Sequence, residues 1–247
     1  KTKDIAGVKK TDKIDAKTLA KLLKTGFLHE VYIPDDKTLK LKDLARHKEK
    51  LTQMRVEVQN KIKSYMLLEG MKYPSKLWSV KNLEWLSKVD NAQINGWLKI
   101  RSQLDKEEKE TMKRIRKISR NMRLTNILMT MPGIAEFSAL MVIAEIADID
   151  RFKTAKNLVM YAGLCPGTYQ TAKTERDVKN NAVNKHLKWI ITECSGRAST
   201  LKGTRFQRHY LKIKKRKNDA VARRSTARKM LTIIWHMLKN EEEYHAS

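Results

Sequence analysis

Apolar residues recur along most of this chain at steps of three, four and seven, a spacing that predicts helices. Ile14, Leu19, Leu22 and Leu23 form the apolar face of a first helix ending at Gly26. Val31 to Pro34 reads as a short extended piece stopped by proline. From Leu39 to about Glu69, the positions Leu44, Leu51, Met54, Val58, Ile62 and Tyr65 predict one long helix, broken by Gly70 and Pro74. A second long run, from about Ala92 to Arg123, sets Met112, Ile115, Ile118 and Met122 inside a basic sheath. Two such helices with a broken, Trp-containing connection predict an antiparallel coiled-coil hairpin. An ordinary helical bundle core is the alternative. Pro132-Gly133-Ile134 then precedes an apolar helix from Phe137 to Ile146. A final helix carries Met230, Ile234, Met237 and Leu238 on one side. With only 9 Gly and 4 Pro, the expected fold is mainly α.

Charge narrows the partners. The 247 residues include 53 Lys plus Arg against 27 Asp plus Glu, a formal net charge of +26. A free-standing metabolic enzyme has no use for that excess, whereas a polyanion does. Membrane insertion is not expected. The longest apolar run, Ala139 to Ala144, is far shorter than the roughly 20 residues a span needs. Lys1 to Lys10 leads into no apolar core, so no signal peptide is read. Cys165 and Cys194 have no metal-ligand spacing and form no disulfide framework, and a cytoplasmic location is expected.

The densest positive segment runs from Lys202 to Lys229 with one acid, Asp219. Its candidate nucleic-acid contacts are Arg205, Arg208, Lys214, Lys215, Arg216, Lys217, Arg223 and Arg224, with Phe206 and Tyr210 interleaved to stack on bases. A solvated helix face is the alternative, but such a run repels itself without a polyanion. Gly133 is a further candidate, because a Pro-Gly-Ile turn before a helix exposes backbone N–H groups that can hold a phosphate. Any helix–helix turn can also use Pro and Gly.

Asp12 and Asp15 lie three residues apart at the mouth of the first helix and share one side of it. Two such carboxylates can hold Mg²⁺. The other reading is an N-cap at Asp12 with Asp15 favouring the positive helix end. Glu136, Glu145, Asp148 and Asp150 read as helix-start charges and solvated faces. Ser195-Gly196 falls inside an expected helix and is set aside as a nucleophile.

The run Lys10-Thr11-Asp12-Lys13-Ile14-Asp15-Ala16, followed by Leu22-Leu23-Lys24-Thr25-Gly26, resembles the end of the catalytic domain in DEDD transposases of the insertion-sequence 110 family. These are relatives of the Piv-type DNA invertases and the bridge-RNA-guided recombinases. Pro132-Gly133-Ile134, Arg151-Phe152 and Tyr161-Ala162-Gly163-Leu164-Cys165-Pro166 resemble the C-terminal domain of the same family. The resemblance implies a remnant of an α/β RuvC-like domain over 1–36, a coiled-coil hairpin over 37–124, and a helical transposase domain with a helix-hairpin-helix-like turn over 125–247. It implies transposition or site-specific recombination of double-stranded DNA, guided by a structured RNA, by a homo-oligomer away from membranes. Asp12 and Asp15 would be the third and fourth acids of a Mg²⁺ site, and Thr171 would stand where the family has its serine nucleophile.

This sequence departs from the family at several points. Ala172 replaces the glycine after the nucleophile, Val183-Asn184 replaces Gly-Asn, and Lys188 replaces an arginine. Lysine lacks the bidentate fork arginine gives a phosphate. Only 11 residues precede Asp12, too few for the strands that carry the family's first two acids. The expectation is therefore an N-terminally truncated transposase with weak or absent Mg²⁺ and no recombination by the chain alone. A catalytically inactive nucleic-acid-binding remnant is the alternative.

Overall fold

The computed structural model describes residues 11–27, 32–165 and 183–246, together with the backbone of 168–171 and 174–177. The chain forms two compact units, 1–35 and 36–247.

In the first unit, helix α1 spans Asp12–Lys24. Its N-cap is Thr11, not Asp12: the Thr11 hydroxyl accepts from the Ile14 N–H at 3.3 Å. Asp12 and Asp15 both fall in the first turn, and Lys21 and Lys24 in the last, which suits the helix dipole. The helix closes where Phe27 N–H donates to Leu22 O at 3.0 Å and Gly26 N–H to Leu23 O at 3.2 Å. Val31 lies outside the described residues, and 32–35 have no regular structure.

The second unit carries α2 (Asp36–Leu68), α3 (Val80–Ser87), α4 (Ala92–Arg120), α5 (Arg123–Met129), α6 (Glu136–Ile146) and α7 (Ala155–Tyr161). Strands β1 (Thr168–Thr171) and β2 (Thr174–Asp177) follow, then α8 (Lys185–Thr200), α9 (Arg205–Lys214) and α10 (Asp219–Asn240). The strands pair antiparallel, with Thr168 opposite Asp177 and Thr171 opposite Thr174. Mainly α is therefore correct, while the hairpin of strands was not expected from the pattern.

Helices α2 and α4 run antiparallel. Going up α2, Thr52 and Arg55 meet Glu108, Lys61 sits over Trp97, and Tyr65 meets Asn91, so α4 is read backwards. Leu51, Val58, Ile62 and Met66 bury against Ile94 and Leu104, with Leu77 and Leu86 from the connection. Met54 is exposed, because it falls one position off this seam, where the half-buried Arg55 sits instead. On α4, Ile115 is fully buried and Met112 and Ile118 are half-buried, as is Met122, which lies past its end at the start of α5. Helix α6 is apolar on every side, and Ala139 to Ala144 are all buried. A helix of that kind belongs at a centre. It packs against α2, α4, α5 and α8.

Candidate nucleic-acid interface and catalytic positions

Helices α9 and α10 present the basic segment. Thr204 caps α9 by accepting from Gln207 N–H at 3.1 Å, and Asn218 caps α10 by accepting from Val221 N–H at 2.9 Å. Phe206 is fully buried and stacks on Tyr244 at 5.7 Å, so it anchors α9 to the core and is not free to stack on bases. Tyr210 is half-buried and donates its hydroxyl to Asp219. Arg208, Lys212, Lys214, Lys215, Arg216, Lys217, Arg223 and Arg224 are exposed, and Arg205 and Lys188 are half-buried. Asp219 is already taken by Arg223 at 2.7 Å and Lys214 at 3.5 Å. Elsewhere the cations face one another. Burial and then the charges of Arg205, Arg208 and Lys212 hold the Lys229 ammonium below the usual lysine range. Burial followed by Lys229, Lys212 and Arg205 likewise lowers His209. Among the described residues, Arg205, Arg208, Lys212 and Lys229 make no ion pair with an acid, so positive charge gathers at this place.

Gly163 and Val183 meet at the end of α7, beside a hydrogen-bond network around Asn184. Helix α7 ends at Gly163, whose φ of +65° is open to glycine, and a Cβ there would meet Val183 at 2.8 Å. Asn184 binds the same place from the other side. Its backbone N–H donates to Tyr161 O at 2.8 Å, and its side-chain amide donates to the Tyr161 hydroxyl at 2.9 Å and to Glu145 at 2.8 Å. Its side-chain oxygen caps α8 through Leu187 N–H at 2.9 Å. The chain thus leaves near Gly163 and returns at Val183 almost to the point it left. Thr171 is the last residue of β1, while Ala172 lies outside the described residues.

Glu145 is the residue sequence reasoning misjudged. It is fully buried rather than solvated, and Arg46 grips it at 2.7 and 2.9 Å. Burial pushes its carboxyl up, but the hydrogen bonds from Arg46 and Asn184 and the Arg46 charge outweigh this and hold it below the ordinary range. The available signal was a lone acid, Glu145, closing the apolar run Ala139 to Ala144 and followed by Ile146. Ser195 is buried within α8 and donates to the backbone carbonyls of Thr192 and Arg223, so it is no nucleophile.

Gly133 has φ +91°, and a Cβ on it would meet Cys194 O of α8 at 2.7 Å. Close packing against α8 accounts for this glycine. Asp12 and Asp15 belong to the first unit and Thr171 to the second. Among the described residues, no group of three or more His, Cys, Asp or Glu is placed to hold a metal, and no helix is long and apolar enough to cross a membrane.

A model of transposases of the IS116/IS110/IS902 family matches residues 125–211, and a DEDD transposase model of insertion sequence 110 matches residues 1–71. A Sinorhizobium fredii protein named "Putative transposase y4qE" is 26% identical over 191 residues, 75% of this chain and 47% of that protein. The chain spans about half the length of the curated relative it matches. With matches over its N-terminal part and over the α5–α9 region, the chain belongs to the IS116/IS110/IS902 family of transposases.

Proposed function

We propose that this chain serves transposition by binding double-stranded DNA and a structured guide RNA, with α9 and α10 as its principal phosphate-contacting surface. The gathering of Arg205, Arg208, Lys212 and Lys229 on α9 and α10, which meets no acid among the described residues, carries this reading. A polyanion relieves the repulsion that the fold leaves in place. Residues 1–36 would belong to a RuvC-like catalytic domain. Asp12 and Asp15, on one side of the first turn of α1, fit a hydrated Mg²⁺ whose remaining ligands are water and phosphate oxygens. When bound, that ion would stabilise charge developing on a phosphate. Thr171, at the end of β1, would be the nucleophile, and the α2–α4 hairpin would support self-association.

A second reading, binding without catalysis, is favoured by Thr171 itself. Its β-branch stiffens the side chain and crowds an in-line attack. One experiment addresses binding and a second separates the two readings. Charge reversal at Arg208, Lys212 and Lys215 together is expected to abolish duplex binding while leaving the helical content intact. Unaltered binding by that variant refutes the assignment of this surface. Strand exchange by the unaltered chain with cognate DNA and RNA, lost in Thr171→Ala, supports catalysis; duplex binding with no strand exchange by the unaltered chain supports the second reading.

A further inference from the structure

We infer that a cavity between α2 and the start of α8, lined by Arg46, Tyr161, Val183, Asn184, Lys185 and His186, is a second nucleic-acid contact that holds one backbone phosphate. The inference rests on the nucleic-acid reading above and adds to it a site remote in sequence from the basic segment. The cavity measures about 440 Å³, ample for a phosphodiester and its water.

Its walls are arranged by charge. Two acids lie behind it, and both are already committed. Glu145 accepts from Arg46 through both oxygens and from Asn184. Glu49, also buried, meets His186 Nδ1 at 2.6 Å and accepts from Gln53 at 3.1 Å. The groups in front are donors. Arg46 spends Nε and Nη2 on Glu145, and among the described residues its Nη1 has no hydrogen bond. Lys185 is exposed, and His186 keeps Nε2 beyond the nitrogen that meets Glu49. The bidentate grip fixes the guanidinium plane, so its outer edge is pre-set for an anion at no further entropic cost.

The test uses the full chain, a 20-base-pair duplex as probe, and Lys88 on the exposed hairpin connection as the control position. Lys185→Glu places an acid at a helix start, where the fold favours it, so folding is retained. It is expected to weaken duplex binding about tenfold, against less than about twofold for Lys88→Glu. Lys185→Ala should lower the slope of log affinity against log salt by about one, and Lys88→Ala should leave it unchanged. Arg46→Lys, which keeps the charge but loses the fork, should also weaken binding. If the unaltered chain does not bind the duplex even at low salt, the broader nucleic-acid reading falls and this one with it. If it binds and Lys185→Glu behaves like Lys88→Glu, this pocket is refuted while the α9–α10 surface stands. A site for free phosphate alone would shift the His186 ring signal in NMR on adding inorganic phosphate, yet leave duplex affinity equal in all variants. That result also overturns the assignment.

Discussion

Glu145 and Arg46 do not depend on each other equally. The Arg46 side chain is 43% exposed, whereas that of Glu145 is wholly buried. Removing Glu145 leaves a guanidinium that water can reach; removing Arg46 leaves a buried carboxylate whose remaining side-chain hydrogen bond, among the described residues, comes from Asn184. Arg46→Met should therefore cost about 3 kcal/mol, and Glu145→Met clearly less. Urea denaturation midpoints would measure this, and equal losses would contradict it. The pair also sets an acid limit. The Glu145 carboxyl lies below its ordinary 4.5 in the folded chain, and so does Glu108, which burial raises but Arg55, Thr52 and Lys48 lower further. A folded-state pKa below the unfolded value gives stability that is present above about pH 4.5 and lost as pH falls through the folded value. Unfolding free energy should decline on acidification below that point, and less steeply in Glu108→Gln. At Gly133, an alanine would face both a positive φ and the α8 backbone at 2.7 Å. Gly133→Ala should cost at least 1 to 3 kcal/mol, roughly the scale of a strained backbone, seen as a lowered thermal midpoint. Burial pushes the Cys194 thiol up to about 11, so it should resist alkylation until the chain unfolds.

At the scale of elements, the long helices were legible because their apolar spacing is strong and glycines punctuate them. Gly26 and Gly70 both sit just past helix ends, as the pattern required. What the sequence hid were relations across the chain. Nothing near Glu145 announces Arg46, 99 residues away, and nothing near His186 announces Glu49. Phe206 looked like a stacking platform because its neighbours are basic, yet its position on α9 faces the core. Met54 shows the limit of reading a stripe: a polar residue, Arg55, occupies the seam through its ion pairs with Asp105 and Glu108. That difference is testable. Ile62→Asp buries an unpaired charge and should unfold the hairpin, a loss of roughly 4 kcal/mol or more. Met54→Asp should be nearly silent. Circular dichroism distinguishes them. If the hairpin supports self-association, sedimentation of Ile62→Asp should shift toward monomer as well. Unchanged helicity in Ile62→Asp would refute the seam described.

For the whole molecule, an excess of +26 is the dominant physical fact. Glu108, Glu145 and Asp219 each pair with one or two cations, and on the α9–α10 face Arg205, Arg208, Lys212 and Lys229 pair with no acid among the described residues. Under the proposed function, a nucleic-acid polyanion is the partner that surface would meet. Binding driven by phosphate neutralisation releases counterions, and its affinity must fall steeply with salt. The most direct measurement is the affinity of the chain for a duplex at several salt concentrations. A fall of about 10³-fold or more between roughly 50 and 200 mM salt is predicted. A flat salt dependence, or no binding at the lowest salt, would contradict it.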